Sequence, residues 1–330
     1  MTGVTHDAMS DGTAVAAPRA ASGLLFALAS AASFGLSGAL GKGLIDAGWS
    51  PGGAVVVRIL LGFVVLAAPA LLALRGRWAV VRRNVGFLTG YGLAAVATAQ
   101  LCFFNAVAHM PVGVALLIEY TAPVAVVGWM WMRHGHVPTR LTVVGGLVAL
   151  AGLVLLLDLG SGTTVTLEGV LWALAAMTGV AVYFVLSADE RSGLPPLVLA
   201  AGGLLVGGTV ILVAGVAGFV PMEASTAAVQ LAGGTVPWWL PATGLAVVTA
   251  ALAYTTGIAA GRRLGARLAS FVALAEVVMA VLFAWVLLDQ LPLAVQLAGG
   301  ALVLVGVVVV KAGEPATDRR VAPRRDGGTR

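Results

Sequence analysis

Long apolar runs separated by short polar segments constrain this sequence more than any other feature. Charged side chains make up only 10% of the 330 residues. They cluster, leaving apolar runs of roughly 18–25 residues, the length that an α-helix needs to cross ~30 Å of hydrocarbon. Soluble domains are about 45–50% apolar, whereas this chain is 60% hydrophobic with a mean hydropathy of +1.02. The pattern excludes a soluble fold and predicts an all-α integral membrane protein.

The runs predict ten transmembrane helices. Their expected bounds are 22–41, 52–75, 85–108, 111–132, 139–157, 168–187, 196–220, 238–260, 265–288 and 291–311. The flanking segments 1–21 and 312–330 are polar, the second also basic, and both are expected to be disordered. A cleaved signal peptide is the alternative for the first run, but that run is long enough to span and its loss would remove part of a repeat.

Basic residues predict the orientation. With the N-terminus inside, all but two of the 19 Lys and Arg residues fall on cytoplasmic segments, the exceptions being Lys42 and Arg58. Cytoplasmic loops are enriched in Lys and Arg. We therefore expect a multi-pass protein of the cell membrane with both termini in the cytoplasm, which requires an even number of helices.

An internal repeat predicts the architecture. A shift of 154 residues lays Trp131 on Trp285, Pro138 on Pro292, and the Gly145–Gly146 pair on Gly299–Gly300. The chain therefore divides into repeats at 22–158 and 166–311, each with five helices. Because five is odd, the repeats enter the membrane from opposite sides, which is the inverted-repeat plan of secondary transporters.

Three formal charges lie clearly inside predicted helices, away from their ends: Arg58, Glu119 and Glu276. Each costs about 2.5–3.5 kcal/mol on insertion scales, so each is expected to face the bundle interior or a wet cavity. The repeat offset places Glu276 on Ala122, three residues from Glu119 and on the same helix face. The two carboxylates are predicted to hold a substrate ammonium or a coupling proton. Structural roles, or snorkelling of Arg58 to the interface, are the alternatives.

Other polar side chains are candidates for the cavity wall. Tyr120 and Thr121 follow Glu119, and Pro123 frees the Glu119 carbonyl by removing one helical hydrogen bond. Gln100, Asn105 and Tyr254 carry the larger polar heads among the remaining intramembrane residues. The candidate substrate-binding set is Glu119, Glu276, Tyr120, Thr121, Gln100, Asn105, Tyr254 and Arg58.

Several chemistries are not indicated. The sequence has no GxxxxGK[ST] loop for ATP and no HExxH zinc motif. It has no basic face with interleaved aromatics for nucleic acid. Its one cysteine, Cys102, is expected to be a small buried hydrophobe. We predict no enzymatic activity, no cofactor and no metal site, with a small molecule and the lipid bilayer as partners. The sequence indicates no oligomeric state.

A family resemblance adds to these expectations. The run Pro111, Gly113, Ala115, Glu119, Tyr120, Thr121, Pro123, followed by Gly145–Gly146, resembles the EamA domain of the drug/metabolite transporter superfamily. The second half repeats the pattern with Glu276, Asp289 and Gly299–Gly300. The Glu-Tyr-Thr-Ala-Pro run is most similar to the threonine and homoserine exporter branch.

The resemblance implies a central cavity between inverted repeats and the export of amino acids or other metabolites without ATP. An importer or drug-efflux transporter of the same fold is the alternative, and a non-transporting membrane protein is a more distant one. The sequence departs from the family at 133–136, where many members carry Glu, and at Val277, where many carry Pro. The second departure predicts a straighter ninth helix.

Overall fold

A computed structural model describes residues 16–109, 112–135, 137–156, 166–288 and 293–313. Six helical segments within these ranges are long and apolar enough to cross a membrane: Ala21–Asp46, Pro51–Leu74, Val85–Phe103, Leu167–Ser187, Pro196–Val216 and Trp239–Val272. Shorter apolar helices cover Arg140–Leu155, Ala275–Leu288 and Leu297–Gly313. A helical multi-pass membrane protein is confirmed, while the count of ten spans stays a prediction.

The described part of the first half contains eight α-helices. They are α1 Ala16–Asp46, α2 Pro51–Leu74, α3 Trp78–Arg83, α4 Val85–Gly90, α5 Ala99–His109, α6 Val112–Glu119, α7 Ala122–His134 and α8 Arg140–Leu156. A π-helical segment, Tyr91–Thr98, joins α4 to α5. Helix α2 starts after Ser50, whose hydroxyl accepts a hydrogen bond from the Gly53 amide. The helix ends at Arg75, which adopts the left-handed conformation.

The second half repeats this plan. Its helices are α9 Leu167–Ser187, α10 Pro196–Val216, α11 Trp239–Ala246, α12 Ala253–Val272, α13 Ala275–Leu288 and α14 Ala294–Gly313. A second π-helical segment, Val247–Leu252, joins α11 to α12. Between α10 and α11 lies an antiparallel hairpin of β1 Val229–Leu231 and β2 Gly234–Val236. The hairpin packs against Leu44 and Trp49, near the end of α1 and the start of α2.

The structure corrects several predicted bounds. The helix predicted at 22–41 runs from Ala16 to Asp46, so residues 16–21 are helical rather than disordered. The helix predicted at 238–260 extends up to Gly265, whose φ of 79° and ψ of 162° are not helical, and a second helical stretch then runs to Val272. The predicted start of the next helix at residue 265 coincides with this kink. The loop predicted at 221–237 contains the hairpin. Residues 1–15 and 314–330, and the predicted counterparts Asp289 and Pro292, lie outside the described residues.

Two predicted helices are interrupted. The helix expected at 111–132 is divided into α6 and α7 by a turn at Tyr120–Thr121. The helix expected at 265–288 is divided into the end of α12 and α13 by a turn at Ala273–Leu274. The straighter ninth helix predicted from Val277 is therefore wrong, because the break precedes that position and needs no proline.

Helices α8 and α14 pack closely and antiparallel through glycines. A Cβ on Gly145 would lie 2.8 Å from the Gly306 carbonyl oxygen, and a Cβ on Gly152 would lie 2.7 Å from the Gly299 carbonyl oxygen. The 154-residue offset exchanges these two contacts, since it places Gly145 on Gly299 and Gly152 on Gly306. The two repeats thus meet here in a locally two-fold arrangement.

Candidate functional site

The two helix breaks lie at corresponding places in the halves, and each carries a glutamate. The offset of 154 residues takes Tyr120, in the first break, to Leu274, in the second. Glu119 is the last residue of α6, and Glu276 lies in the first turn of α13. Helix ends leave backbone groups without helical partners. Turn hydrogen bonds satisfy the amides at both breaks, such as Thr121 to the Ile118 carbonyl and Leu274 to the Phe271 carbonyl, so each carboxylate lies beside a non-helical turn.

The two glutamates have opposite relations to their helix dipoles. Glu276 lies at the N-terminal end of α13, where a negative charge is favoured. Glu119 lies at the C-terminal end of α6, where it is disfavoured. Pro123, in the first turn of α7, lacks only an N–H that a helix start would not use. The dipole of its own helix therefore stabilises a charge on Glu276 more than one on Glu119.

A cavity of about 450 Å³ extends down to these glutamates. We call it the vestibule. Its lining includes Lys42 and Asp46 at one end and Glu119, Tyr120 and Glu276 at the other. The Lys42 ammonium and the Asp46 carboxylate form an ion pair of 2.9 Å, and both side chains are about half exposed. This pair therefore marks the open mouth.

A smaller chamber of about 90 Å³ continues beyond the glutamates. Its aromatic walls include Phe34, Tyr183 and Tyr254. The Phe34 and Tyr254 ring centroids lie 5.2 Å apart, and those of Tyr183 and Tyr254 lie 5.7 Å apart, both edge to face. Ligand cavities usually measure about 300–1,000 Å³. The vestibule can therefore hold a metabolite, whereas the chamber in this conformation has room only for water or a small ion.

Arg58 joins the two halves at the floor of the vestibule. Its Nη1 donates to Gln100 Oε1 at 3.0 Å, and its Nη2 donates to the Thr249 carbonyl oxygen at 2.7 Å. Gln100 follows the first π-helical segment, and Thr249 lies within the second. π-Helical turns are frequent at functional sites because they shift backbone groups out of register. The side chain is only 4% exposed, which rules out snorkelling.

The structure brings together six of the eight predicted site residues. Arg58, Gln100, Glu119, Tyr120, Tyr254 and Glu276 all line the vestibule or the chamber. Two do not. Asn105 donates to the Leu101 carbonyl at 2.7 Å, and the Thr121 hydroxyl donates to the Ile118 carbonyl at 2.6 Å. Both therefore satisfy their own helix, as polar residues in membrane helices often do.

The same-face argument for the glutamates is also corrected. It assumed one continuous helix from Glu119 to Ala122, whereas the chain breaks between those residues. Both carboxylates line one cavity because both breaks border it.

Cys102 is buried, as expected.

Sequence reasoning missed part of the lining. Phe34 lies in both cavities, and Ser30 and Tyr183 line the chamber. A Cβ on Gly257 would overlap the Tyr183 hydroxyl, so a small residue is required there. Tyr183 was identifiable as one of few intramembrane tyrosines. Phe34 and Ser30 carry no signal that separates them from the rest of an apolar helix.

An apolar cluster borders the chamber. It consists of Ala27, Ala260, Leu268 and Val272, and two of these, Ala27 and Ala260, also line the chamber. In the loop after α9, the Asp189 carboxylate accepts hydrogen bonds from Arg191, which hold the pKa of Asp189 below its usual range. Among the described residues, the half-exposed Lys42–Asp46 pair marks one opening of the cavities.

Comparisons with known proteins agree with this architecture. One protein of known crystal structure superposes with a TM-score of 0.71 at 23% identity, over 88% of this chain and 96% of the other. That identity supports a shared fold and nothing finer. No curated protein matches the chain. The profile of the EamA-like transporter family matches twice, at residues 21–158 and 167–312. The two matches cover most of the sequence, and the chain belongs to the EamA-like transporter family.

Proposed function

We propose that this protein is a secondary transporter that exports small metabolites, amino acids or related compounds, by alternating access. The observation that carries the proposal is the vestibule, which ends at two glutamates on broken helices in corresponding positions of the two halves. Transporters of this kind place substrate and ion sites at discontinuous helices near the repeat interface.

The charges at the floor favour a substrate with an amino group. Glu119 and Glu276 both line the vestibule, and Arg58 lies close enough to interact with each. Both Arg58 Nη atoms are already engaged by Gln100 and Thr249. Arg58 therefore leaves both carboxylates available to a substrate ammonium or a coupling proton, although Glu276 also has a side-chain hydrogen bond with Tyr120. Intramembrane charges of this kind are costly and mark substrate or proton pathways.

Two halves with inverted topology would allow the protein to alternate between outward-open and inward-open states. The antiparallel contact of α8 with α14 exchanges equivalent glycines, as expected of repeats related by an axis in the membrane plane. In this conformation the cavity opens at the Lys42 end, which the basic residues predict to be the outer side. An inward-open state would require the cluster around Ala260 and Leu268 to part.

Flux through proteoliposomes tests the function. The purified chain, reconstituted in liposomes loaded with one amino acid, is expected to catalyse counterflow of its radiolabelled form without ATP. A panel of amino acids and toxic analogues, combined with an imposed pH gradient, identifies the substrate and the coupled ion. Lack of any counterflow above that of empty liposomes would contradict the proposal. Net uptake driven by a physiological gradient would favour an importer instead.

Cysteine labelling tests the orientation. In a Cys102→Ala background, Trp78→Cys and Val321→Cys are expected to resist an impermeant thiol reagent in intact cells, since both positions are predicted to be cytoplasmic. Asp46→Cys, at the vestibule mouth, is expected to react. Labelling at 78 or 321 would overturn the predicted topology.

A further inference from the structure

Helices α9 and α12 line part of the chamber together and then come into contact. Tyr183 of α9 and Gly257 of α12 belong to the chamber lining. One turn farther along each helix lie Ser187 and Gly261. A Cβ on Gly261 would lie 3.4 Å from Ser187 Cβ and 3.4 Å from the Ala188 amide nitrogen. The two helices therefore meet one turn beyond the chamber, and we call this contact the seam.

The seam is made of small residues and one hydroxyl pair. The Ser187 hydroxyl lies 3.2 Å from the Tyr91 hydroxyl, and both side chains are buried. Tyr91 belongs to the first π-helical segment, so the seam also borders the first half of the chain. Small residues let helices approach closely, but they bury little apolar side-chain surface. Parting the seam would therefore expose little apolar area.

A charged group beside the seam is incompletely satisfied. Arg262 follows Gly261, and within the part of the chain that the structure describes its buried Nε and Nη2 have no hydrogen-bond partner. The guanidinium interacts electrostatically with Glu190 and Asp189, in the loop after α9, and with Tyr91. Buried donors without partners cost free energy. Water that enters a parted seam would bond to them and remove this cost, so the closed arrangement carries a penalty that opening relieves.

We propose that the seam between α9 and α12 is the second gate of the transport path. The vestibule mouth carries Lys42, which the basic residues predict to be outside, whereas Arg262 lies in a segment predicted to be cytoplasmic. When Ser187 parts from Gly261, together with the neighbouring apolar cluster, the chamber extends to the loop after α9. This inference rests on the proposed function and adds the place where the chamber opens and the residues that open it.

A reversible disulfide across the seam tests the gate. The Cβ separation of 3.4 Å at Ser187 and Gly261 is near the ~3.5–4.5 Å of a disulfide. Ser187→Cys combined with Gly261→Cys, in a Cys102→Ala background, should therefore cross-link on oxidation. Counterflow is expected to fall at least tenfold in the oxidised protein and to recover on reduction with dithiothreitol. The two single-cysteine variants are the matched controls and should stay within twofold of their reduced forms.

Two results would overturn the gate. Cross-linked protein that keeps its counterflow within twofold would show that the seam does not need to part. Absence of cross-linking would show that Ser187 and Gly261 do not meet. Failure of the proposed function gives a different pattern, with no counterflow in the wild type or in the reduced variant.

Hydrogen exchange tests the seam independently of transport. Amides at residues 259–264 should exchange at least tenfold faster in the reduced double-cysteine variant than in the oxidised one. Residues 143–153 of α8 serve as the internal control and should exchange at equal rates in both forms. Equal rates at 259–264 would show that the seam does not open.

Two neighbouring arginines test the part played by the unsatisfied guanidinium. Arg262→Leu and Arg263→Leu remove the same charge, but Arg263 is exposed and donates to the Ala259 carbonyl of its own helix at 3.0 Å. Arg262→Leu should lower counterflow at least threefold without lowering the melting temperature. The closed seam then loses two unpartnered donors, while solvent already screens the attraction of the exposed Glu190.

Arg263→Leu should keep its counterflow within twofold of wild type. A lower melting temperature in Arg262→Leu would assign that residue a structural role only. Equal counterflow in the two variants would show that Arg262 does not influence the gate. Either result would overturn the assignment of Arg262 to the gate.

Discussion

The α8–α14 pair and the broken helices α6–α7 and α12–α13 both recur at the same repeat offset, yet they are built differently. The first pair is continuous and joined through glycine backbones at Gly145, Gly152 and Gly306. The second is interrupted and carries Glu119 and Glu276 at the interruptions. Close glycine packing leaves no space for an added side chain, whereas the helix breaks replace helical hydrogen bonds with turns and border a cavity. The comparison suggests a fixed scaffold beside an adaptable site.

Filling a scaffold glycine is expected to have the largest effect. A Cβ on Gly306 would lie 2.5 Å from the Ala149 amide nitrogen and 2.6 Å from the Gly145 carbonyl oxygen. Because both atoms are backbone, neither can rotate away. Gly306→Leu should destabilise the protein by about 3 kcal/mol or more, seen as a loss of folded protein on size-exclusion chromatography after heating in detergent.

Gly128→Leu is the control for this prediction, since it adds the same side chain where space is open. It should melt near the wild-type temperature. If Gly306→Leu also melted near the wild-type temperature, the antiparallel glycine contact would not be a rigid scaffold. The contrast between the α8–α14 pair and the broken helices would then be lost.

Removing a charge at the breaks is expected to act on transport rather than on folding. Glu119→Gln and Glu276→Gln keep the shape and most hydrogen bonding of each side chain. Counterflow should fall at least tenfold, equivalent to ~1.4 kcal/mol, while thermal stability in detergent stays near wild type. The change at Glu276 should match or exceed that at Glu119.

If both Gln variants transport normally between pH 6 and 8, the carboxylates are structural and the site assignment is wrong. Thr121→Val serves as the neighbouring control, because its hydroxyl bonds to its own helix and does not line the described cavities. Its counterflow should remain within twofold of wild type.

Sequence reasoning recovered the features that depend on composition. Apolar run length placed most helix ends within a few residues, as for Pro51–Leu74 and Leu167–Ser187. Intramembrane charge located Glu119 and Glu276, because such residues are rare enough to stand out. Repeated glycines located the helices that pack as α8 and α14.

Features that depend on tertiary contacts were not recoverable. The break at Ala273–Leu274 has no proline, and the π-helical segments Tyr91–Thr98 and Val247–Leu252 have no distinctive composition. The hairpin turns at Ala232, whose φ of 52° is unusual for a residue other than glycine. The partners of Arg58 lie 42 and 191 residues away. In each case the surrounding structure overrides local preference.

Arg58 links the two halves at the floor of the vestibule, and replacing it with the shorter lysine should have an effect of intermediate size. Lysine keeps the charge but cannot bond Gln100 and Thr249 together. Arg58→Lys should lower stability by about 1 kcal/mol, since one charge-assisted hydrogen bond is lost and cavity water replaces part of it. A double-mutant cycle with Gln100→Ala measures the coupling. Additive effects would mean that the bond between them does not hold the halves together.

The smallest effect on stability is expected at the surface pair Asp189–Arg191. This exposed pair contrasts with the buried Arg58. Arg191 is 89% exposed, and solvent screens such pairs. Because Arg191 lowers the pKa of Asp189, any stabilisation is present above the usual aspartate pKa and is lost as pH falls through the lowered value. Asp189→Asn should therefore shift the melting temperature by no more than about 2 °C at pH 7. The difference should shrink toward pH 4. A larger shift at pH 7, or one that grows on acidification, would show that this loop is packed against the helices rather than a solvated turn.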